Sequence, residues 1–275
     1  KIEVRDYQYD AIQYAINNDR CVLLSPTSSG KSLIIYSLIR WHIANGRKCI
    51  LIVPNTTLCN QMYSDFNEYA SESDFSVEEN VQILYSGFTK VFSKNVMIST
   101  WQSIYKQPKS WFKQFDVVFS DEVHGAKSQS LTDIMCKLDQ AKYRIGTTGT
   151  LQNEKIHRLV IEGLFGKVYS VTTTKQLMDK GSVTKLKISS VILNYTKEER
   201  KILKGASYQT ELDYIVDNNK RNRFLAKLAL SCTGNTMILF RFVEKHAKPI
   251  YDLIKAKAGD RKVYFRRKQG KKYNS

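Results

Sequence analysis

The chain has 275 residues, 42% of them apolar and 25% charged, with only 13 glycines and 4 prolines, which excludes a disordered or collagen-like chain and fits one to two domains. It carries 43 basic against 26 acidic side chains, a formal net charge of +17, so nucleic acid or another polyanion is the expected partner class. Residues 233–275 hold +9 of that surplus, so the bulk value overstates what the remainder offers.

In chain order, short β-rich runs alternate with longer helical patterns. Cys21–Leu24 reads as a strand, followed by a Pro/Ser/Gly turn and a helix from Lys31 to about Ala44. Lys48–Val53 reads as the next strand, then Pro54-Asn55 and a helix over Thr56–Tyr69, with Thr56 and Thr57 as caps. Residues 71–80 are polar and acidic and read as a surface loop. Val81–Tyr85, Asn95–Ser99, Phe115–Ser120 and Tyr143–Thr147 read as strands, with helices near 101–106 and 128–138. Several of these strands are continuously apolar, the pattern of a parallel sheet covered on both faces. The expected fold is therefore α/β, a mainly parallel sheet flanked by helices.

Beyond about residue 165 the pattern changes. Val183–Leu193 reads as a strand, 196–215 and 219–232 as helices, Met237–Phe240 as a new buried strand, and about 243–257 as a helix. Val263–Phe265 could add one strand, and Arg266–Ser275 reads as a basic tail. The expected division is a first α/β domain over 1–165, connecting strand and helices over 166–232, and the truncated start of a second domain with its tail over 233–275.

The cysteines are Cys21, Cys49, Cys59, Cys136 and Cys232, without a CxxC pair and mostly within apolar periodic segments. Reduced, buried, inert thiols are expected. No apolar run approaches the roughly 18 residues of a membrane span, and Lys1-Ile2-Glu3-Val4 is not a signal peptide, so a soluble intracellular protein with no membrane partner is expected. His42, His157 and His246 are too scattered for zinc spacing.

Residues 25–32, Ser-Pro-Thr-Ser-Ser-Gly-Lys-Ser, lie between a strand and a helix. They match the phosphate-loop pattern except that Ser25 replaces its first glycine. Gly30 lets the backbone approach phosphate, and the amides of Thr27, Ser28 and Ser29 with the helix N-terminus favour negative charge. Lys31 supplies a cation for the β/γ-phosphates and Ser32 a hydroxyl for Mg²⁺. An ordinary Ser/Gly turn with a solvated lysine is the alternative. Downstream, Phe115–His124 is an apolar strand ending in Asp121 and Glu122, at the edge where α/β proteins bind ligands. Asp121 would hold Mg²⁺ and Glu122 would orient and deprotonate a water; solvated loop acids are the alternative. His124, beside them, suits a coupling role better than metal ligation.

Asp121-Glu122-Val123-His124 resembles the acidic box of the superfamily 2 helicases and translocases, and other segments resemble that family's motifs in order. Arg5-Asp6-Tyr7-Gln8 is similar to the element preceding the phosphate loop, which implies that Gln8 reads adenine and Arg5 supports it. Val53-Pro54-Asn55 and Ser99-Thr100-Trp101-Gln102 resemble two DNA-contact motifs, implicating Asn55, Thr100 and Gln102; a helix cap at Asn55 and local turn bonds at Thr100 are the plainer readings. Gly146–Thr150 resembles the motif linking nucleotide state to nucleic-acid grip, implicating Thr147 and Thr150. Ile238-Leu239-Phe240 resembles the opening of the family's second motor domain. The resemblance implies two recombinase-like phosphate-loop domains, ATP and Mg²⁺, and a DNA partner.

Phage members of this family imply branched or forked DNA in recombination, repair and replication, within the cytoplasm of an infected bacterial host. Their protein partners are unknown from sequence. No counterpart of the family's glutamine-and-arginine segment follows Phe240, so weak or absent hydrolysis and no unwinding are expected of these 275 residues. An RNA-directed motor of the same superfamily and a non-enzymatic nucleic-acid-binding fragment are the alternatives. Trp111, among Lys106, Lys109 and Lys113, is expected to pack at a core edge, as is Trp101.

Overall fold

Apolar five-residue runs bounded by turns and amphipathic helices build a repeating βα chain. Helix α1 (Asp6–Asn18) precedes β1 (Arg20–Leu24), α2 (Lys31–Ala44), β2 (Cys49–Val53), α3 (Thr56–Ala70), the single turn α4 (Val77–Asn80), β3 (Val81–Leu84) and β4 (Val96–Thr100). There follow α5 (Trp101–Ile104), α6 (Lys109–Phe112), β5 (Val117–Asp121), α7 (Gln129–Lys137), β6 (Tyr143–Thr148), α8 (Lys155–Phe165), β7 (Lys167–Ser170) and α9 (Thr174–Asp179). This computed structural model describes residues 3–85, 91–124, 129–151, 155–184, 187–259 and 262–265.

The seven strands form one sheet in the order β3-β4-β2-β5-β6-β1-β7, with every pairing parallel. The expected covered parallel sheet is present: β2, β4 and β5 are buried along their whole length. Alternate residues face opposite sides. Leu23, Leu51, Ile98 and Phe119 join α1, α2 and α3 in one cluster with Ile34, Leu38 and Phe66. Val22, Ile50, Ile52 and Met97 join a second cluster with Phe112, Ile134, Ile161 and Phe165. Each fully buried side chain of this size contributes about 1.5–3 kcal/mol. Strand β6 lies between β1 and β5, with Thr147 level with Leu23 and Asp121, and Thr148 level with Leu24. That register sets three loops side by side at the carboxyl edge.

Some local expectations need correction. Asn55 caps α3 by accepting from the Leu58 amide at 2.9 Å, and Thr56 is already helical, because an Asx side chain reaches the free amides from the cap position. The acidic stretch 71–80 ends in α4, with Ser76 accepting from the Glu79 amide. Residues 6–18 and 167–170, which carry no clear sequence signal, form α1 and β7; β7 is a strand because β1 offers it an edge.

The chain divides into two compact units, Lys1–Leu186 and Lys187–Ser275. The segment 166–232 is therefore split, with β7 and α9 in the first unit. The second unit contains α10 (Lys197–Leu203), α11 (Tyr208–Asp217), α12 (Asn219–Ser231) and a π-helical turn, Val243–Ala247, that runs into α13 (Lys248–Lys255). The helix expected over 196–215 is broken at Gly205, whose φ of 82° is left-handed, and restarts at the Ser207 cap. The expected strands at 183–193, 237–240 and 263–265 are absent among the described residues. Ile188, Ile192, Met237 and Leu239 there are exposed, and a strand without a pairing neighbour leaves its amides and carbonyls unmatched. The expected basic tail, Arg266–Ser275, lies outside the described residues. Among the described residues no helix is long and apolar enough to cross a membrane.

His42 and the cysteines give two measurable consequences. His42 is 1% exposed, against Phe119 and Tyr143, with Arg47 Nη1 3.1 Å from its Nδ1. Burial, aided by the Arg47 charge and opposed by Asp19, lowers its pKa to about 4 from 6.5. The unfolded chain therefore binds the extra proton first, and stability present above pH 6.5 is lost as pH falls towards 4, by about 3 kcal/mol in all. Urea unfolding across that range should show this slope, and His42→Gln should flatten it; an unchanged slope in the variant would rule His42 out as its source. Cys21, Cys49 and Cys59 are buried, whereas Cys136 and Cys232 are exposed, so the expectation of buried thiols holds for three of five. Burial pushes the Cys21 and Cys59 thiols up to about 12. A thiol-exchange reagent should titrate two thiols in the native chain and all five in denaturant; rapid reaction of a third would contradict the packing.

Candidate functional site

Strand β1 ends at Leu24 and α2 begins at Lys31, so residues 25–30 must turn the chain at the carboxyl edge of the sheet. Ser28 at φ 66° and Gly30 at φ 79° lie in the left-handed region that L side chains avoid. Ser25, standing where the phosphate-loop pattern has glycine, is fully buried, with its Oγ 2.6 Å from Ser29 Oγ. Ser29 spends its single hydroxyl proton on Pro26 O at 2.6 Å, so Ser25 donates to Ser29. The serine ties the loop across its base, a bond glycine could not make.

The start of α1 clamps this loop from outside. Gln8 is 3% exposed; its Nε2 donates to Ser29 O at 3.0 Å and its Oε1 accepts from the Arg5 amide at 2.9 Å. Tyr7 donates to Ser29 O at 3.1 Å, and Arg5 Nη1 donates to the Tyr7 hydroxyl at 2.8 Å. A Cβ at Gly30 would sit 2.3 Å from Gln8 Nε2. Gly30 is thus required by both its backbone angle and the glutamine packed on it.

The acidic residues meet the loop across β6. Lys31 Nζ lies 3.5 Å from Glu122 Oε1 and donates to Ser25 O at 3.4 Å. Glu122, at φ 54°, is like Ser28 a left-handed non-glycine residue; strain of this kind persists where the surroundings over-determine it. Its Oε2 lies 3.1 Å from His124 Nδ1, which is 3.0 Å from Thr148 Oγ1. Thr148 donates its hydroxyl proton to Thr150 O at 2.8 Å, so His124 Nδ1 carries the proton shared with Thr148 and Glu122. Asp121 is 7% exposed and accepts from Thr147 Oγ1 at 2.7 Å. Burial pushes its carboxyl above the usual value, against the pull of the Thr147 hydrogen bond.

Arg5, Gln8, Gly30, Lys31, Asp121, Glu122, His124 and Thr147 are therefore brought to one edge, as their chain order suggests. Thr150 is exposed and reaches this network through its backbone. The connecting side chain is Thr148, the adjacent hydroxyl of the same five-residue motif, which sequence reasoning passed over. Gly149 brings that motif onto the phosphate loop: a Cβ there would be 3.5 Å from Lys31 Nζ and 3.8 Å from the Thr27 amide.

Asn55, Thr100 and Gln102 also lie together, because β2 and β4 are neighbours and Val53 pairs with Thr100. Asn55 and Gln102 are exposed, with Gln102 Nε2 3.4 Å from Pro54 O. Thr100 is 3% exposed and bonded to Ser103 Oγ at 2.9 Å, the local turn bond expected as its plainer role. Trp111 packs edge-on against Phe112 and Phe115, and Lys109 pairs with Asp139 at 2.6 Å.

The donors beside Lys31 are hard oxygens, the Ser32 hydroxyl and the Asp121 carboxylate, at the N-terminus of a 14-residue helix. This set suits Mg²⁺ bound together with phosphate oxygens rather than a cation caged by protein alone. Among the described residues, no group of three His, Cys, Asp or Glu side chains could hold a metal ion.

Residues 1–153 match the family described as "Type III restriction enzyme, res subunit". The chain is 38% identical over 273 residues to the ATP-dependent DNA helicase UvsW of Enterobacteria phage T4, covering 96% of this chain and 53% of that protein. It is 26% identical over 206 residues to the DNA 3'-5' translocase XPB2 of Sulfurisphaera tokodaii, covering 74% of this chain and 44% of the relative. The crystal structure of T4 UvsW superposes with a TM-score of 0.56 at 35% identity, over 93% of this chain and 51% of that one. The Pyrococcus furiosus Hef helicase domain shares the fold, with a TM-score of 0.56 at 18% identity over 94% of this chain and 55% of that one. The chain spans about half the length of the curated relatives it matches. With the fold, the ordered motifs and these likenesses together, the chain belongs to the type III restriction enzyme res-subunit family and, with it, to the superfamily 2 helicases.

Proposed function

We propose that this chain is the ATP-binding motor region of a DNA helicase that remodels branched or forked DNA in recombination, repair and replication, in the cytoplasm of a phage-infected bacterial host. The observation that carries the reading is the unbroken line of contacts from the phosphate loop through Lys31, Glu122 and His124 to Thr148. The UvsW likeness supports DNA over RNA as the polymer.

In this reading the amides of Thr27, Ser28, Ser29 and Gly30 cradle the phosphates, and Lys31 neutralises the β/γ oxygens. Ser32 and Asp121 hold Mg²⁺, which supplies charge neutralisation for phosphoryl transfer. Glu122 orients the attacking water and takes its proton. Gln8, supported by Arg5, reads adenine as the family's motif implies, once its amide leaves Ser29 O and the Arg5 amide. Thr147 reports through Asp121 and His124 through Thr148 and Thr150, so loss of the terminal phosphate changes contacts at the edge that carries Asn55, Thr100 and Gln102. Those three contact the strand backbone, with Thr100 acting through its turn.

Lys31→Ala removes a charged phosphate contact worth about 1.5–3 kcal/mol, so affinity for a fluorescent ATP analogue should fall about 10–100-fold. Unchanged affinity would refute the site. Turnover by the 275 residues alone should be slow, without fork reversal, and stimulated more by forked DNA than by duplex or RNA. Measurable ATP-driven fork reversal would overturn the first expectation, and stronger stimulation by RNA would overturn the choice of polymer.

A further inference from the structure

The hydroxyl of Ser32 has a partner in α3 that the phosphate-loop pattern does not account for. Ser32 Oγ lies 2.8 Å from the Tyr69 hydroxyl. The Tyr69 ring is fixed in turn against Tyr36 of α2, at 5.5 Å between centroids, beside the fully buried Phe66.

A serine hydroxyl has one proton and two lone pairs. Whichever of the two hydroxyls donates, Ser32 keeps a lone pair for a cation, and the bond to Tyr69 selects one of the three staggered positions open to its side chain.

We propose that Tyr69 is a positioning residue of the nucleotide site, orienting the Ser32 hydroxyl for the divalent cation that accompanies the nucleotide. This rests on the ATP reading above and adds to it a residue from a helix that no phosphate-loop or acidic-box motif includes. Partners that hold a metal ligand in place are worth about 10–100-fold in metal affinity.

The test measures fluorescent-ADP affinity of the 275-residue chain with Mg²⁺ and with EDTA, for the wild type, Tyr69→Phe and Ser32→Ala. The gain in affinity conferred by Mg²⁺ should shrink about 10-fold in Tyr69→Phe, with the EDTA affinity unchanged, and further in Ser32→Ala. Tyr69→Phe removes one hydroxyl and keeps the ring on Tyr36, so it retains the fold. A wild-type Mg²⁺ gain in Tyr69→Phe would overturn the proposal and leave the ATP reading standing. Equal losses with Mg²⁺ and with EDTA would overturn it too, since they denote a merely structural role. A wild-type chain that binds no nucleotide under either condition overturns both.

Discussion

Glu122→Gln is expected to slow single-turnover hydrolysis of pre-bound ATP by about 10²–10⁴-fold, the usual contribution of a general base, while nucleotide affinity stays within about twofold. Glutamine has nearly the same shape and keeps an acceptor for the proton on His124 Nδ1, 3.1 Å from Glu122 Oε2. The other terminal atom becomes an NH2 that cannot accept from Lys31, 3.5 Å from Oε1, but in the proposed complex Lys31 turns its charge to the phosphates. What disappears is the ability to take a proton from water. The separation matters because Lys31 and Glu122 are in contact: Lys31→Ala should weaken binding, and Glu122→Gln should not. Hydrolysis at the wild-type rate would remove Glu122 from the chemistry. A tenfold loss of affinity with unchanged hydrolysis would make it a binding residue instead.

Arg144→Met should destabilise the first unit by about 3–5 kcal/mol, a large share of the 5–15 kcal/mol typical of a whole domain. Arg144 lies in β6, is 8% exposed, and spreads its guanidinium over three backbone carbonyls: Leu138 O at 2.9 Å, and Ala141 O and Leu164 O at 3.3 Å each. The carbonyls of Leu138 and Leu164 lie at the ends of α7 and α8, where the helix dipole favours a cation, and that of Ala141 lies in the loop before β6. Methionine fills a similar volume and leaves Ala141 O and Leu164 O without this donor, while Leu138 O keeps the Ala141 amide at 3.1 Å; each unsatisfied group costs about 1–3 kcal/mol. Arg144→Lys should recover less than half, because a compact ammonium cannot match the planar fork. Urea unfolding followed by circular dichroism measures both variants, and a loss below about 1 kcal/mol would show that water reaches these carbonyls.

Both expectations concern strands whose existence the sequence makes plain, yet they differ in what could be read in advance. The run Cys49–Val53 is apolar at every position, and a strand of that kind must be covered on both sides. Gly30-Lys31-Ser32 and Asp121-Glu122 were legible for a similar reason: each group is adjacent along the chain and follows or ends a strand. Arg144 sits in such a run, but nothing local reveals that two helix ends converge on it. Thr148 escaped notice beside Thr147 because choosing between adjacent hydroxyls requires knowing which side of β6 each one faces. Tyr69 stands 37 residues from Ser32, so only the packing of α3 on α2 brings it there.

The second unit shows the converse. Met237-Ile238-Leu239-Phe240 has the composition of a buried strand, but Met237 and Leu239 are 81% exposed and the segment is irregular. Composition makes a strand possible; the hydrogen bonds of a neighbour make it a strand.

By itself, then, the sequence determined the parallel α/β class, the phosphate loop, the acidic strand end and the family, because these depend on residues adjacent along the chain. The tertiary structure decided which groups share a proton, which carbonyls Arg144 holds, and that Ser25, a departure from the loop pattern, is the residue that ties it. Those depend on distances of about 3 Å between residues far apart in sequence, which only the strand order and the packing of helices on the sheet can set.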